Sequence, residues 1–298
     1  MTGKEYADRS ASYRLIIEKE LTRLFAVEAM GIYPKLREAM YYSLEAGGKR
    51  LRPCFVLAVC EMLGGDINKA LPFACALEMI HTYSLIHDDM PGMDNDDFRR
   101  GRPSNHKVFG EGIALQAGDG LLSFAFETML SAACASFSAG SFKAAREIIK
   151  RAGASGMVSG QAADKENETL GIKTTKMLDY IHRHKTADML EAAVISGAYI
   201  AGADEKTVLS LREYSENMGL LFQITDDILD YSGDPVLMGK TLGKDEDEGK
   251  LTFVTLYGLD GAKKAATDAA KKAIEAVKDI DNNGFITAAV ENMLIRNN

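Results

Sequence analysis

The sequence predicts an all-α protein. Three observations carry that expectation. The composition is rich in Ala, Leu, Met, Glu and Lys, with six prolines and no tryptophan. Apolar residues recur at helical spacing along most of the chain, and no segment alternates convincingly as a strand would.

In chain order, the helical spacing covers residues 13–27, 36–44, 53–63, 71–87, 113–137 and 141–151. It resumes over 156–164, 174–201, 204–231, 251–259, 261–278 and 285–295. Breakers separate these stretches: Gly47-Gly48, Gly64-Gly65, Pro91-Gly92, Gly101 with Pro103, Gly171 and Gly202. None of them resembles a long linker, and 298 residues at 46% hydrophobic content supply ample core material. Residues 1–298 are therefore read as one domain. The longest irregular segment is SGDPVLMGKTLGKDEDEGK (232–250); composition fits a lid and a plain solvated loop equally well.

Charge and cysteine usage exclude several classes. A net charge of -8 argues against a nucleic-acid partner, because backbone binding depends on clustered Lys and Arg. Cys54, Cys60, Cys75 and Cys134 lie in apolar helical stretches without metal-ligand spacing, so buried free thiols and a cytoplasmic location are expected. The first residues, MTGKEYADRSASYRL, contain no apolar signal core, and the longest uncharged run (128–142) is too short to span a bilayer. No membrane span is expected.

The chemistry-bearing stretch is HDDMPGMDNDDFRRGRP (87–103). Pro91 disfavours helical geometry at Met90, so the preceding helix ends with Asp88 and Asp89 in its last turn. Carboxylates there oppose the negative end of the helix dipole, by about 0.3–1 kcal/mol each, and repel one another. A divalent cation reverses both terms, and Mg²⁺ takes carboxylate oxygens while sharing its shell with phosphate. A second cluster, QITDDILD, places Asp226 and Asp230 one turn apart on a helix face, with Asp227 flanking them and Gln223 a turn before.

Cations follow the carboxylates. Arg99 and Arg100 offer guanidinium forks suited to a diphosphate. Gly47-Gly48-Lys49-Arg50-Leu51-Arg52-Pro53 carries three cations into a helix start, without the spacing of a Walker loop. Lys185 and Thr186 sit mid-helix in HRHKTADML, where a solvated face is the more ordinary reading of the stretch in isolation. His81 lies seven residues before Asp88, on nearly the same helix face. No arrangement suggests a side-chain nucleophile.

Taken together, GGKRLRP, EMIHTYSLIHDDMPGMDNDDFRRGRPSNH, AGDGLL, GQAAD, HKTADML, GLLFQITDDILD, the loop lysines and KLTFVTLYG resemble the trans-polyprenyl diphosphate synthase family. They occur in the family order over essentially the whole chain, and four residues between Asp89 and Asp94 fit its bacterial branch. The resemblance implies an isoprenoid synthase fold, with helices around a central cavity and the two aspartate motifs facing across it. It assigns Asp88, Asp89, Asp94, Asp226, Asp227 and Asp230 to Mg²⁺. Arg99, Lys185, Thr186, Gln223, Lys240 and Lys250 match positions for the allylic substrate. Gly48, Lys49, Arg52, His81 and Arg100 match the isopentenyl diphosphate site.

The implied reaction is Mg²⁺-dependent condensation of isopentenyl diphosphate with dimethylallyl and geranyl diphosphate to (2E,6E)-farnesyl diphosphate. Lys185, Thr186 and Gln223 would offer oxygen dipoles to the allylic cation, and a homodimer is implied. Tyr83 and Ser84, five and four residues before Asp88, match the chain-length position. The helical wheel puts Ser84 near the Asp88 stripe and Tyr83 well to one side, so a core tyrosine stays open. A geranylgeranyl or geranyl product and a non-catalytic subunit are the alternatives.

Overall fold

The computed structural model describes residues 1–232 and 251–295. It is built almost wholly of helices: α1 Gly3–Ala26, α2 Pro34–Glu45, α3 Leu51–Met62, α4 Ile67–Asp88, α5 Asn105–Phe109, α6 Glu111–Ser136, α7 Ala139–Ala152, α8 Met157–Leu170, α9 Thr175–Ile181, α10 Asp188–Ala201, α11 Glu205–Ser232, α12 Phe253–Val277 and α13 Phe285–Ile295. No helix among the described residues is long and apolar enough to cross a membrane.

The expected helices are present, with local differences that have physical causes. Helix α1 starts ten residues earlier than its apolar period because Thr2 and Glu5 close a capping box, and Tyr6 then packs on Phe285 with ring centroids 5.0 Å apart. The expected 174–201 helix is divided by a π-helical turn, His182–Ala187. The two helices expected over 251–278 form one run bent at Gly258, whose φ of 71° breaks the helical geometry. A 3₁₀ turn at Glu28–Gly31 and the short α5 carry too few residues to show a period.

Strand is not wholly absent. Phe98–Arg99 and Arg102–Pro103 pair antiparallel around Arg100 and Gly101, both with positive φ (54° and 75°), the signature of a tight hairpin turn. Two-residue strands leave no alternation to read.

Helix α10 is the hub. Residues from Asp188 to Ala198 are all buried, with α3, α7 and α11 packed around it. Beside it, α4 runs along α6, and α11 along α12. Helix α4 is therefore held by neighbours along its length, which fixes the position of its C-terminal end. Cys54, Cys60 and Cys75 are buried as expected, but Cys134 is exposed. It sits on the outer face of α6, which an apolar stretch alone cannot distinguish from the inner one.

Candidate active site

The end of α4 organises the site. Asp88 is its last residue and Asp89 its C-cap, and the chain then folds back so that the Asp94 N–H donates to the Asp88 carbonyl at 2.8 Å. That turn gathers three carboxylates over a helix C-terminus. Each is met by a donor from elsewhere: Gln161 donates to Asp88, Arg99 Nε to Asp89 at 2.9 Å, and Lys165 Nζ to Asp94 at 3.1 Å. Asp96 and Asp97 instead pair with Arg99 (3.5 Å) and Lys107 (2.7 Å) within the loop region.

Burial drives the electrostatics. It pushes the Asp88 carboxyl up to about 6, with Asp94 and Asp89 adding to the rise and Lys185 and Arg99 opposing it. Asp89 is raised for the same reason, against the Arg99 hydrogen bond. A bound cation would favour the charged forms further than Lys185 and Arg99 do.

The second cluster is spread around α11. Asp226 is exposed, Asp227 half-buried and Asp230 buried. The Phe253 N–H donates to Asp227 at 2.7 Å, so this carboxylate also serves the N-terminus of α12, where negative charge is favoured. Spacing alone did not suggest that second duty. Among the described residues, no three acidic, cysteine or histidine side chains converge as a preformed metal cage.

Lys185 and Thr186 lie in the π-helical turn. Such turns are single irregularities that re-aim backbone and side chains, and they occur often at functional sites. Two glycines grip this one. A Cβ at Gly160 would meet the Lys185 nitrogen at 2.1 Å, and one at Gly219 would meet the Ala187 Cβ at 2.4 Å. Lys185 Nζ donates to Asp164 of α8 at 2.5 Å. Immediately beyond the turn, Arg151 binds Asp188 and Glu191, and Arg212 binds Glu191 and Glu147. This paired buried network ties α7, α10 and α11 together and anchors the turn, since an unpaired charge there would be costly.

Two cavities lie along the C-terminal half of α4. The first, of about 670 Å³, brings together Gly48, Lys49, Arg52, His81 and Arg100 and adds Asp226. Arg52 Nε is buried without a partner, and burial lowers the Arg52 and Arg100 guanidinium values. His81 is held well below the usual histidine range by burial, then by Arg52 and Arg100, so it stands neutral among cations. The cavity is an anion site in its chemistry.

The second cavity, of about 480 Å³, is apolar. Tyr83, Ser84, His87 and Asp88 line it from α4, with Leu115 of α6 and Met157 of α8 opposite. Tyr83 therefore lines the same cavity as Asp88, although the helical wheel sets it to one side, and its ring is otherwise buried.

Mg²⁺ fits the donor set. Asp88, Asp89, Asp94, Asp226 and Asp230 supply hard oxygen donors, and Asp94 and Asp89 repel the Asp88 carboxylate, a repulsion a bound cation would relieve. Lys240 and Lys250 lie outside the described residues. Gln161, Asp164 and Lys165, all on α8, were missed as individual residues. Their polar spacing was visible in GQAADK but looks the same as a solvated face.

Comparisons with known proteins agree with this geometry. The polyprenyl synthetase family model matches residues 33–293. The chain is 46% identical over 275 residues to farnesyl diphosphate synthase of Geobacillus stearothermophilus, covering 92% of each. It is 45% identical over 247 residues to the chloroplastic geranylgeranyl pyrophosphate synthase of Catharanthus roseus, covering 83% of this chain and 69% of that one. A solved geranyltransferase from Legionella pneumophila superposes with a TM-score of 0.86 at 30% identity, covering 100% of this chain and 99% of its own. Together with the all-helical fold around α10 and the paired aspartate clusters, these matches place the chain in the polyprenyl synthetase family of prenyltransferases.

Proposed function

We propose that the chain condenses isopentenyl diphosphate with dimethylallyl and then geranyl diphosphate, releasing (2E,6E)-farnesyl diphosphate. The observation that carries this reading is the pair of cavities along the C-terminal half of α4. A cationic cavity is lined by His81 and an apolar one by Tyr83, Ser84, His87 and Asp88, so one helix serves both a diphosphate-anchored alkene and a growing hydrocarbon.

The residues divide the work. Lys49, Arg52, Arg100 and neutral His81 bind the isopentenyl diphosphate and hold its double bond towards the allylic substrate. Arg99 and Lys185 bind the allylic diphosphate, whose tail lies along Tyr83 and Ser84. Bound Mg²⁺, held by Asp88, Asp89, Asp94, Asp226, Asp227 and Asp230, supplies positive charge for the departing diphosphate. The Lys185 carbonyl, Thr186 and Gln223 face the allylic carbocation with oxygen dipoles, and the gripped π-helical turn keeps the first two from reorganising. The apolar wall excludes water. The alkene attacks, and the proton leaves to the released diphosphate, so no side-chain base is needed. Lys240 and Lys250 are assigned to the allylic diphosphate through the family motif alone.

The farnesyl assignment is supported by Tyr83 on the wall of the apolar cavity and by the identity to the Geobacillus enzyme, while the similar identity to a geranylgeranyl synthase keeps C20 as the second reading. We extend the proposal to one catalytic domain working as a cytoplasmic homodimer. Purified protein given Mg²⁺, dimethylallyl diphosphate and isopentenyl diphosphate is expected to make mainly C15 diphosphate. Mainly C20 product transfers the assignment to the second reading, and no condensation overturns both in favour of a non-catalytic subunit.

A further inference from the structure

His87 stands between Tyr83 and the metal-binding aspartates, and neither the reaction nor the family motif gives it a role. Its imidazole lies at the crossing of α4 and α6. Nε2 is 3.1 Å from the Leu115 carbonyl oxygen, to which the Nε2–H tautomer donates. The Tyr83 ring meets the His87 ring edge to face, with centroids 5.7 Å apart, and both rings line the apolar cavity. Asp119 lies 3.9 Å from the same nitrogen.

The same edge of the ring meets α6 where a side chain is absent. A Cβ at Gly118 would sit 2.1 Å from His87 Nε2 and 2.5 Å from Cδ2. Helix α6 thus approaches the ring as closely as backbone can, and the imidazole has no room to retreat from the cavity. Packed aromatic pairs of this kind hold one geometry instead of yielding to a neighbour. A histidine placed only to link two helices would need the hydrogen bond. It would not need to share a cavity wall with Tyr83.

We propose that His87 is a second product-length-determining residue, forming with Tyr83 a two-ring wall whose position is set by the missing side chain at Gly118. The inference rests on the prenyl-elongating reading of the site. Elongation extends the hydrocarbon away from Asp88 by five carbons per cycle, and growth stops where the wall no longer admits the next unit. Tyr83 supplies one ring. His87, nearer the diphosphate end, fixes the angle at which the chain meets it.

Two substitutions move the wall in opposite directions. His87→Gln keeps a donor for the Leu115 carbonyl but removes the ring edge, and is expected to raise the C20-to-C15 product ratio by about tenfold or more, the scale set by a few carbons in an apolar pocket. Gly118→Ala forces the imidazole into the cavity and is expected to shift product towards C10. A helix-linking histidine would leave the ratio unmoved in His87→Gln, and that result overturns the proposal. So does lengthening in both variants, which signals general loosening. If Gly118→Ala fails to fold, Gly118→Ser in a His87→Ala background tests the same geometry, with product restored towards C15 as the expected result and no restoration as the contrary one. Affinities for unreactive geranyl-, farnesyl- and geranylgeranyl-thiodiphosphates separate this idea from the reading beneath it. No condensation by the parent protein overturns the enzymatic reading, whereas an unchanged C20-to-C15 affinity ratio in His87→Gln overturns the wall.

Discussion

The two cavities along α4 differ in physics. The cationic one is defined by charge: Lys49, Arg52 and Arg100 line it, and the buried Arg52 Nε has no protein partner there. The apolar one is defined by shape, lined by Tyr83, His87, Leu115 and Met157. Charge acts over several ångströms and tolerates small displacements. Shape does not, because packed interiors register changes as small as one methylene. The two regions should therefore fail in separable ways.

Asp88 lines the apolar cavity and belongs to the proposed metal-binding set, and removing its charge should give the largest effect. Asp88→Asn is expected to lower kcat for isopentenyl incorporation by about a thousandfold, the loss of about 4 kcal/mol of transition-state stabilisation. Metal-free stability should move the other way. The folded-state value is raised from 3.8 to about 6, so the parent protein loses stability as pH rises through that window and remains penalised at pH 7. The variant is expected to be more stable there by about 1–2 kcal/mol, after allowing for partial solvation. Urea titrations at pH 4 and pH 7 measure it, and equal stability gains at both pH values would remove burial as the cause.

Arg100→Met breaks the cationic side alone. The KM for isopentenyl diphosphate is expected to rise about a hundredfold, since truncating one partner of a buried charge contact costs about 2–5 kcal/mol. Product length should stay as it was. Burial disfavours this guanidinium most and Arg50 and Arg99 repel it, against attraction to Glu78 and Asp89 and a hydrogen bond to the Gly47 carbonyl, so its removal should change the melting temperature of the ligand-free protein little. Steady-state kinetics with each substrate varied in turn, together with a thermal melt, tests both halves.

Tyr83→Ala is the converse. Product should lengthen, with the C20-to-C15 ratio up by about tenfold, while the KM for isopentenyl diphosphate changes by less than about twofold. An unchanged product distribution would show that Tyr83, although it lines the cavity, does not stop the chain.

The same contrast explains what could be read from the sequence. Residue types announce charge, so the six aspartates, the paired arginines and the GGKRLRP turn were legible one by one, and helical periodicity gave spans as close as 285–295 for α13. Shape arises where helices cross. The wall containing His87 depends on α4 meeting α6 at Gly118, and the π-helical turn depends on Gly160 and Gly219 pressing from two other helices. No local pattern encodes these approaches. Helix α8 was hidden for a related reason: Gln161, Asp164 and Lys165 look like a solvated face until Asp88, Lys185 and Asp94 are set opposite them.

Lys165 offers the finest division between the two regions, because it lines the apolar cavity while its ammonium lies on a carboxylate of the first cluster. Its side chain is 32% exposed and is shared between Asp94 at 3.1 Å and Glu168 at 2.8 Å. Exposed pairs of this kind contribute only about 0.2–1 kcal/mol. A cation binding at Asp94 must displace Lys165, and Glu168 stands ready to receive it. If the two compete, Lys165→Met lowers the Mg²⁺ concentration for half-maximal activity by about two- to fivefold, the same free energy expressed as a binding ratio. The melting-temperature rise caused by Mg²⁺ alone should then also begin at lower concentration. An increase in the Mg²⁺ requirement would instead assign the released ammonium to the bound diphosphate, and the cluster would read as a site whose resident lysine changes partner when the metal arrives.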